Sequence, residues 1–362
     1  MRATDGANRV RCVSVTRRVT LSAARAAFGR DHPGIILLQA SEPDEVAQYL
    51  LARRVIGPDE TPVRVVVAGE GNMNCTLRVT TPRRRLIVKQ ARPWVEKYEH
   101  IPAPWNRSLV EAAFYDTVAA VAGVGDRMPR LVHADPDARV LVLEDLGDGG
   151  DFTSMYMGVK LSNAERDALV DYLMRLRRID VPAHRKEMLA NLDMRTLNHE
   201  HIFHFPLVEG NGLALDEMTP GLQSAADELK RDAQFVACVG ALGARYLEDG
   251  DTLVHGDYFP GSWVRTDRGV AVIDPEFCFL GCGEHDIGVM MAHLILAGET
   301  TADVDALERA TASGDADPGL AHQFAGVEIM RRLIGVAQLP LSVPLERKRE
   351  LLGRARQMVL AA

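Results

Sequence analysis

The spacing of apolar residues changes near residue 150, and this change restricts the fold more than any other feature of the chain. Ahead of it, VRVVVAGEGNMNCTLRV (63–79) reads as two strands broken at Gly69 and Gly71. TTPRRR is the next turn and LIVKQ (86–90) the next strand, because short β-branched runs bounded by Gly and Pro mark strands. Ser108 to Ala122 has helical spacing, and VLVLEDL (140–146) is a further buried strand. DEVAQYLLARRV (44–55) precedes them as a helix, with Val46, Tyr49, Leu50 and Val55 on its apolar face. After residue 150 the texture is helical. Ser162 and Glu165 form a capping box before the stripe Leu169, Tyr172, Leu173 and Leu176. Thr219-Pro220 opens another helix, and Asp286–Ala297 and Gln323–Gln338 are two more. The expectation is an α+β fold of two lobes, an antiparallel sheet followed by a mainly helical lobe. The expected partition is an extension at 1–35, a β-rich lobe at 36–146 and a helical lobe at 147–362.

Composition removes several classes of function. The chain has 362 residues, 47% hydrophobic and 25% charged, enough for a sizeable core. A formal net charge of -8 disfavours a general nucleic-acid role. No apolar run has the length of a membrane span. The five cysteines are scattered and odd in number, which points to a reducing cytoplasm. Cys278 and Cys282 lack a second pair for zinc. The Arg- and Ala-rich N-terminal thirty residues have the composition of a transit peptide or of an extension, and are read as a poorly ordered tail. His199, His201 and His204 fit no clean metal-ligand spacing, so they are assigned to local packing or a substrate-side loop.

The chemistry concentrates in LVHGDYFPGSWVRTDRGVAVIDPEF (253–277). Asp257 follows an apolar pair, and Asp274 and Glu276 follow an apolar strand, although a buried carboxylate without a partner is costly. Taken singly, each Asp reads as the cap of a hairpin turn. Other positions turn them into a set. The turn GEGNMN (69–74) offers backbone N–H groups to an anion, although by itself it reads as an ordinary hairpin. Lys89 ends an apolar strand, and Glu111 on the following helix is its expected ion-pair partner. A Gly turn, a strand Lys, a helix Glu and two acidic stations suit phosphoryl transfer. One carboxylate takes a proton from a hydroxyl, and two hold magnesium.

This ordered set resembles the protein-kinase-like phosphotransferases that act on small molecules, such as aminoglycoside and choline kinases. HGDYFPGS resembles their catalytic loop and VIDPEF their metal-binding strand end. Finer features resemble the methylthioribose kinase family. These are GEGNMN, VKQA, the Trp-Arg loop PWNR, EDL at the hinge, Ser262 in the catalytic loop, DPEF, and the twin-arginine helix FAGVEIMRRLIGVA. The resemblance runs from about residue 44 to about residue 340. It implies a bilobal protein-kinase-like fold, ATP and Mg2+ as cofactors, a sugar-like small-molecule substrate and a homodimer.

Carried over residue by residue, the resemblance makes Asp257 the catalytic base and hydroxyl ligand. Asp274 and Glu276 become the metal ligands. Gly71, Asn74, Lys89, Glu111 and the Glu144-Asp145-Leu146 hinge fall on the nucleotide side. Trp105, Arg107, Arg331 and Arg332 fall on the acceptor side, with Asp286 as an anchor beneath the catalytic loop. Trp94 and Trp263 are expected in the core. Consecutive helical residues point about 100° apart, so one of the twin arginines is enough to reach the substrate. Two departures fall on the expected substrate side. Tyr258-Phe259 replaces the family's Leu-His, and the segment before the twin arginines is shorter. The leading expectation is an ATP-dependent kinase acting on the 1-hydroxyl of 5-methylthioribose. Another sugar, nucleoside or antibiotic acceptor stays open, and Ser262 with Tyr258-Phe259 keeps a nucleotide-binding pseudokinase open.

Overall fold

A computed structural model describes residues 22–69, 73–312, 314–339 and 341–361. The chain divides into two units, residues 1–36 and 37–362. In the first, α1 (Ala23–Asp31) is capped by Ser22, whose hydroxyl accepts from Arg25 N at 3.2 Å. The tail expected to lack structure therefore carries a helix, built from alanines with high helix propensity behind a good N-cap. The rest of that tail lies outside the described residues.

In the second unit, α2 (Pro43–Ala52) precedes a five-stranded sheet. Its strands are β1 (Arg64–Val67), β2 (Asn74–Thr80), β3 (Arg85–Ala91), β6 (Leu131–Asp135) and β7 (Val140–Glu144), in the order β1-β2-β3-β7-β6, with every neighbour antiparallel. A separate two-stranded hairpin, β4 (Trp94–Val95) with β5 (Tyr98–Pro102), leads to α3 (Arg107–Val118). β3 lies between β2 and β7, and α3 packs against β3 and β7. That is why Lys89 on β3 and Glu111 on α3 are both buried. The turn between β2 and β3 is closed by Thr81, whose hydroxyl accepts from Arg83 N and Arg84 N at 3.2 and 3.0 Å. Its three arginines are ion-paired in succession with Asp59, Glu60 and Asp148.

The helical lobe begins with α4 (Asn163–Leu176), whose capping box forms as expected and whose stripe Leu169, Tyr172, Leu173 and Leu176 is fully buried. The Thr219-Pro220 expectation needs correction. The helix there starts at Leu222 behind left-handed Gly221 (φ 87°), and the Thr219 hydroxyl accepts from Lys348 Nζ at 2.7 Å instead of capping. Helix α5 (Glu284–Leu296) packs on α6 (Pro318–Ile334), and α6 packs on α7 (Leu345–Leu360). Only a glycine fits at position 288 on α5, because a Cβ there would lie 2.6 Å from Phe324 Cβ. Two small antiparallel pairs carry the loops of interest: β8 (Thr252–Val254) with β11 (Phe279–Gly281), and β9 (Trp263–Thr266) with β10 (Gly269–Val272). Trp94 and Trp263 are buried as expected. Among the described residues no helix is long and apolar enough to cross a membrane.

Candidate active site

The loop from His255 to Ser262 hangs on one buried carboxylate. Asp286, near the start of α5, accepts from His255 N at 2.5 Å and from Gly256 N at 3.0 Å. His255 Nε2 lies 3.0 Å from Ile273 O, which ties this loop to the strand end that carries Asp274. Gly256 sits at φ 84°, and a Cβ there would fall 2.1 Å from Phe277 O. Ser262 donates its hydroxyl to Asp257 O at 2.9 Å and so closes the loop on itself. Asp274 has a left-handed backbone (φ 68°, ψ 50°), which Asp tolerates better than most residues and which turns the chain into the Pro275–Phe277 turn of helix.

Two groups of side chains result. In the first, Lys89 Nζ lies 2.8 Å from Glu111 Oε2 and is ion-paired with Asp274. Glu276 accepts from Asn74 Nδ2 at 2.7 Å, and Arg107 Nε lies 3.3 Å from the same oxygen. Burial opposes the charge on Lys89, but Asp274, Glu111 and Glu276 raise its pKa well above the ordinary lysine value. Burial pushes the Glu111 carboxyl up to about 8, helped by Asp274 and Glu276 and opposed by Lys89. Burial likewise raises Glu276, and Asp274 adds to the effect. Three carboxyl groups, Glu111, Asp274 and Glu276, thus gather around two cations, Lys89 and Arg107, and burial favours the neutral form of Glu111 and Glu276.

Asp274 and Glu276 present carboxylate oxygens, the ligand type that a hard divalent cation takes. Among the described residues no three ligating side chains converge into a closed metal site. His199, His201 and His204 form no such site either; His204 pairs with Glu200 at 2.9 Å and His199 stacks on Phe203.

The second group surrounds Asp257. Its Oδ1 lies 3.1 Å from Arg332 Nη2 and 3.4 Å from Arg331 Nη2. Both arginines therefore reach it, more than their angular spacing alone had required. Behind them lies Glu328, which sequence reasoning missed. It accepts from Arg332 Nε at 2.7 Å and from Arg331 Nε. His293 Nε2 is 3.0 Å from Glu328 Oε1, and His293 Nδ1 is 2.6 Å from Tyr156 Oη. Glu328 was within reach of the sequence, being three and four residues ahead of the arginines on one helix. Nothing local marks His293 or Tyr156.

Several expected site residues are placed differently. Arg107 is buried, not presented on the acceptor side. It donates to Asn74 Oδ1 (2.9 Å), Arg92 O (2.6 Å), Pro104 O (2.8 Å) and Met73 O (2.7 Å), because the β2 start and the loop before α3 have carbonyls that need donors. Trp105 donates to Ala91 O at 3.1 Å and lies under Arg139, and so packs on the sheet lobe. Tyr258 turns into the core, stacked on Tyr172 with its hydroxyl 2.8 Å from Leu169 O. Only Phe259 of that pair faces the site, under the Arg332 guanidinium. At the hinge, the side chain of Asp145 is held by Arg78 (2.8 Å) and that of Glu144 by Arg268 (3.2 Å). Leu146 borders a cavity of about 480 Å³ with Arg85, Gly147 and Arg265. Gly71 lies outside the described residues.

Residues 64–322 match the model of the phosphotransferase enzyme family, and the chain belongs to that family. It is a small-molecule kinase, a phosphotransferase with an alcohol group as acceptor. The methylthioribose kinase of Exiguobacterium sibiricum is 28% identical over 344 residues, covering 80% of this chain and 86% of that protein. The methylthioribose kinase of Geobacillus thermodenitrificans is 25% identical over 372 residues, covering 89% and 92%. The match to the methylthioribose kinase of Citrobacter koseri is shorter, 28% over 260 residues, and reaches 63% of that protein. Among solved structures, spectinomycin phosphotransferase with ADP and spectinomycin has a TM-score of 0.51 at 11% identity, covering 90% of this chain and 99% of that one. Choline kinase from Streptococcus pneumoniae has a TM-score of 0.51 at 11% identity, covering 89% and 100%. These structures share the bilobal kinase-like fold.

Proposed function

We propose that this chain transfers the γ-phosphoryl group of ATP to the 1-hydroxyl of 5-methylthioribose. The observation that carries this reading is the split of the carboxylates. Among the described residues the Asp257 carboxylate pairs with the two arginines, while Asp274 and Glu276 face Lys89, Asn74 and Arg107. In this assignment Asp257 orients the acceptor hydroxyl and takes its proton. The acceptor oxygen bonds to the γ-phosphorus as the bond to the β–γ bridging oxygen breaks, and ADP leaves. Lys89, held by Glu111, orients the phosphates. Arg331 and Arg332 place positive charge beside the transferring group, and such fixed charges do most of the catalytic work in this chemistry. Asp274 and Glu276 would hold magnesium, which neutralises charge on the phosphate oxygens when bound. Residues 36–146 would form the nucleotide lobe and 147–362 the acceptor lobe, in a cytoplasmic enzyme. The similarity to several methylthioribose kinases and the arginine pair support the choice of acceptor.

The test is an ADP-release assay with 5-methylthioribose, ribose, nucleosides and an aminoglycoside. Methylthioribose should give the highest kcat/KM. Asp257→Ala should lose turnover by about 10³-fold or more, with ATP binding within about threefold of wild type. Robust turnover by that variant would remove Asp257 from the mechanism. A higher kcat/KM with another acceptor would replace methylthioribose.

A further inference from the structure

Two adjacent helical residues ordinarily diverge by about 100°. Arg331 and Arg332 nevertheless bring one terminal nitrogen each to the same oxygen of Asp257. Some feature of the fold has to gather them. Glu328 lies three and four residues earlier on α6, the two spacings that share a helix face with both. It is 1% exposed, and its two oxygens accept the Nε–H groups of Arg331 and Arg332. Fixing each guanidinium at Nε leaves its outer nitrogens aimed forward. Arg332 is further confined between the Phe259 ring, 4.6 Å from its Cζ, and Ala337 O, 3.5 Å from Nη1.

Glu328 is itself held by a fully buried histidine. His293 Nε2 can reach Glu328 only as a donor, which leaves Nδ1 to accept the Tyr156 hydroxyl. Burial and the two nearby arginines push His293 down to about 4, so the ring is neutral and this single tautomer satisfies both neighbours. The order of donation runs from Tyr156 to His293 to Glu328, and α5 supplies the histidine against α6. Phe259, next but one to Asp257, lies 5.4 Å from the His293 ring at a tilt of 45°, so the same histidine also backs the catalytic loop.

We infer that Glu328 is a positioning residue that sets both arginines against Asp257, with His293 and Tyr156 fixing Glu328 in turn. The inference rests on the reading of Asp257 as the hydroxyl-binding acid. An error of about 1 Å at a reacting centre can cost about 10²-fold in rate, so the effect belongs in kcat.

The experiment uses the full chain, with 5-methylthioribose or whichever panel acceptor the wild type phosphorylates. It compares Glu328→Gln, His293→Leu and His293→Gln by kcat, acceptor KM, ATP Kd and Tm. Glu328→Gln should lower kcat by about 10²-fold, because the amide keeps one accepting oxygen and turns an NH2 donor toward the other arginine's Nε–H, while ATP Kd stays within about twofold. His293→Leu should lose about tenfold in kcat. His293→Gln should recover to within about threefold of wild type, since its amide can donate to Glu328 and accept from Tyr156. A purely structural role would lower Tm in both His293 variants and leave the kcat of the folded protein alone. The inference is overturned if Glu328→Gln and His293→Leu keep kcat within threefold of wild type, or if Gln at 293 is no better than Leu. Should Glu328→Gln fail to fold, the His293 pair decides. Turnover by Asp257→Ala alongside a dead Glu328→Gln would instead sink the underlying reading of Asp257.

Discussion

Tyr258 shows how far a neighbour of a proposed catalytic residue can be from the chemistry. It follows Asp257 directly, yet its ring is stacked on Tyr172 at 5.7 Å and its hydroxyl donates to Leu169 O. The side chain ties the loop to α4 and is fully buried. Tyr258→Phe should therefore cost about 1 kcal/mol in denaturant unfolding, the net worth of a typical internal hydrogen bond. Acceptor KM should stay within about twofold of wild type. A tenfold rise in KM at unchanged stability would return Tyr258 to the substrate side. The Phe beside it is the residue with access, because it lies under the Arg332 guanidinium.

At the scale of elements, the loop between β8 and β9 depends on Gly256. Its φ of 84° strains any residue with a Cβ, and the Phe277 carbonyl oxygen stands 2.1 Å from where that Cβ would be. Gly256→Ala should destabilise by more than about 2 kcal/mol and reduce turnover with it, read by urea unfolding and by ADP release on the same preparation. A fully stable and active variant would show that this loop is not held in the geometry described. The elements themselves were largely legible in the sequence: β1, β2, β3, β7, α3 and α4 all follow from period and turn chemistry. The hairpin at Trp94–Pro102 escaped because its first strand has two residues and leaves no period to read, and Leu131–Asp135 because VHAD alternates over only four residues with a single β-branched side chain. Of the site, Lys89, Glu111, Asp274 and Glu276 were legible as an ordered set. The Lys89–Glu111 pair was legible as well, but the pairing of Asn74 with Glu276 was not, since the two lie 202 positions apart in the chain. Arg107 was misplaced for a related reason: sequence marks a cation but not the carbonyls that will surround it. The support chain through His293 and Tyr156 exists only once α5 packs on α6.

For the whole molecule, the pairing of acids fixes how stability responds to pH. Asp135 on β6 accepts from Tyr49 Oη (2.7 Å) and Arg53 Nε (2.5 Å), so α2 is fastened to the sheet. Burial alone would raise its pKa, but Arg53, the Ala138 N–H and Tyr49 together hold it down at about 2. Glu328, despite its burial, is held well below the usual carboxylate range by Arg331, Arg332 and His293. A depressed carboxyl contributes stability above its unfolded pKa, about 4, and loses it as pH falls through the folded value. Glu111 has the opposite sign. Its folded pKa of about 8 lies above the unfolded value, so its contribution is present at low pH and lost as pH rises. The two trends set an acid limb and an alkaline limb on the stability curve. Asp135→Asn should remove part of the acid limb. Between pH 5 and pH 2 the wild type should lose about 2 kcal/mol more than the variant, less whatever solvent screens at the exposed Arg53. Parallel slopes in urea unfolding over that range would mean that Asp135 is as free in the folded chain as in the unfolded one. The fastening of α2 would then have to come from the apolar contacts of Val46 and Leu50 alone.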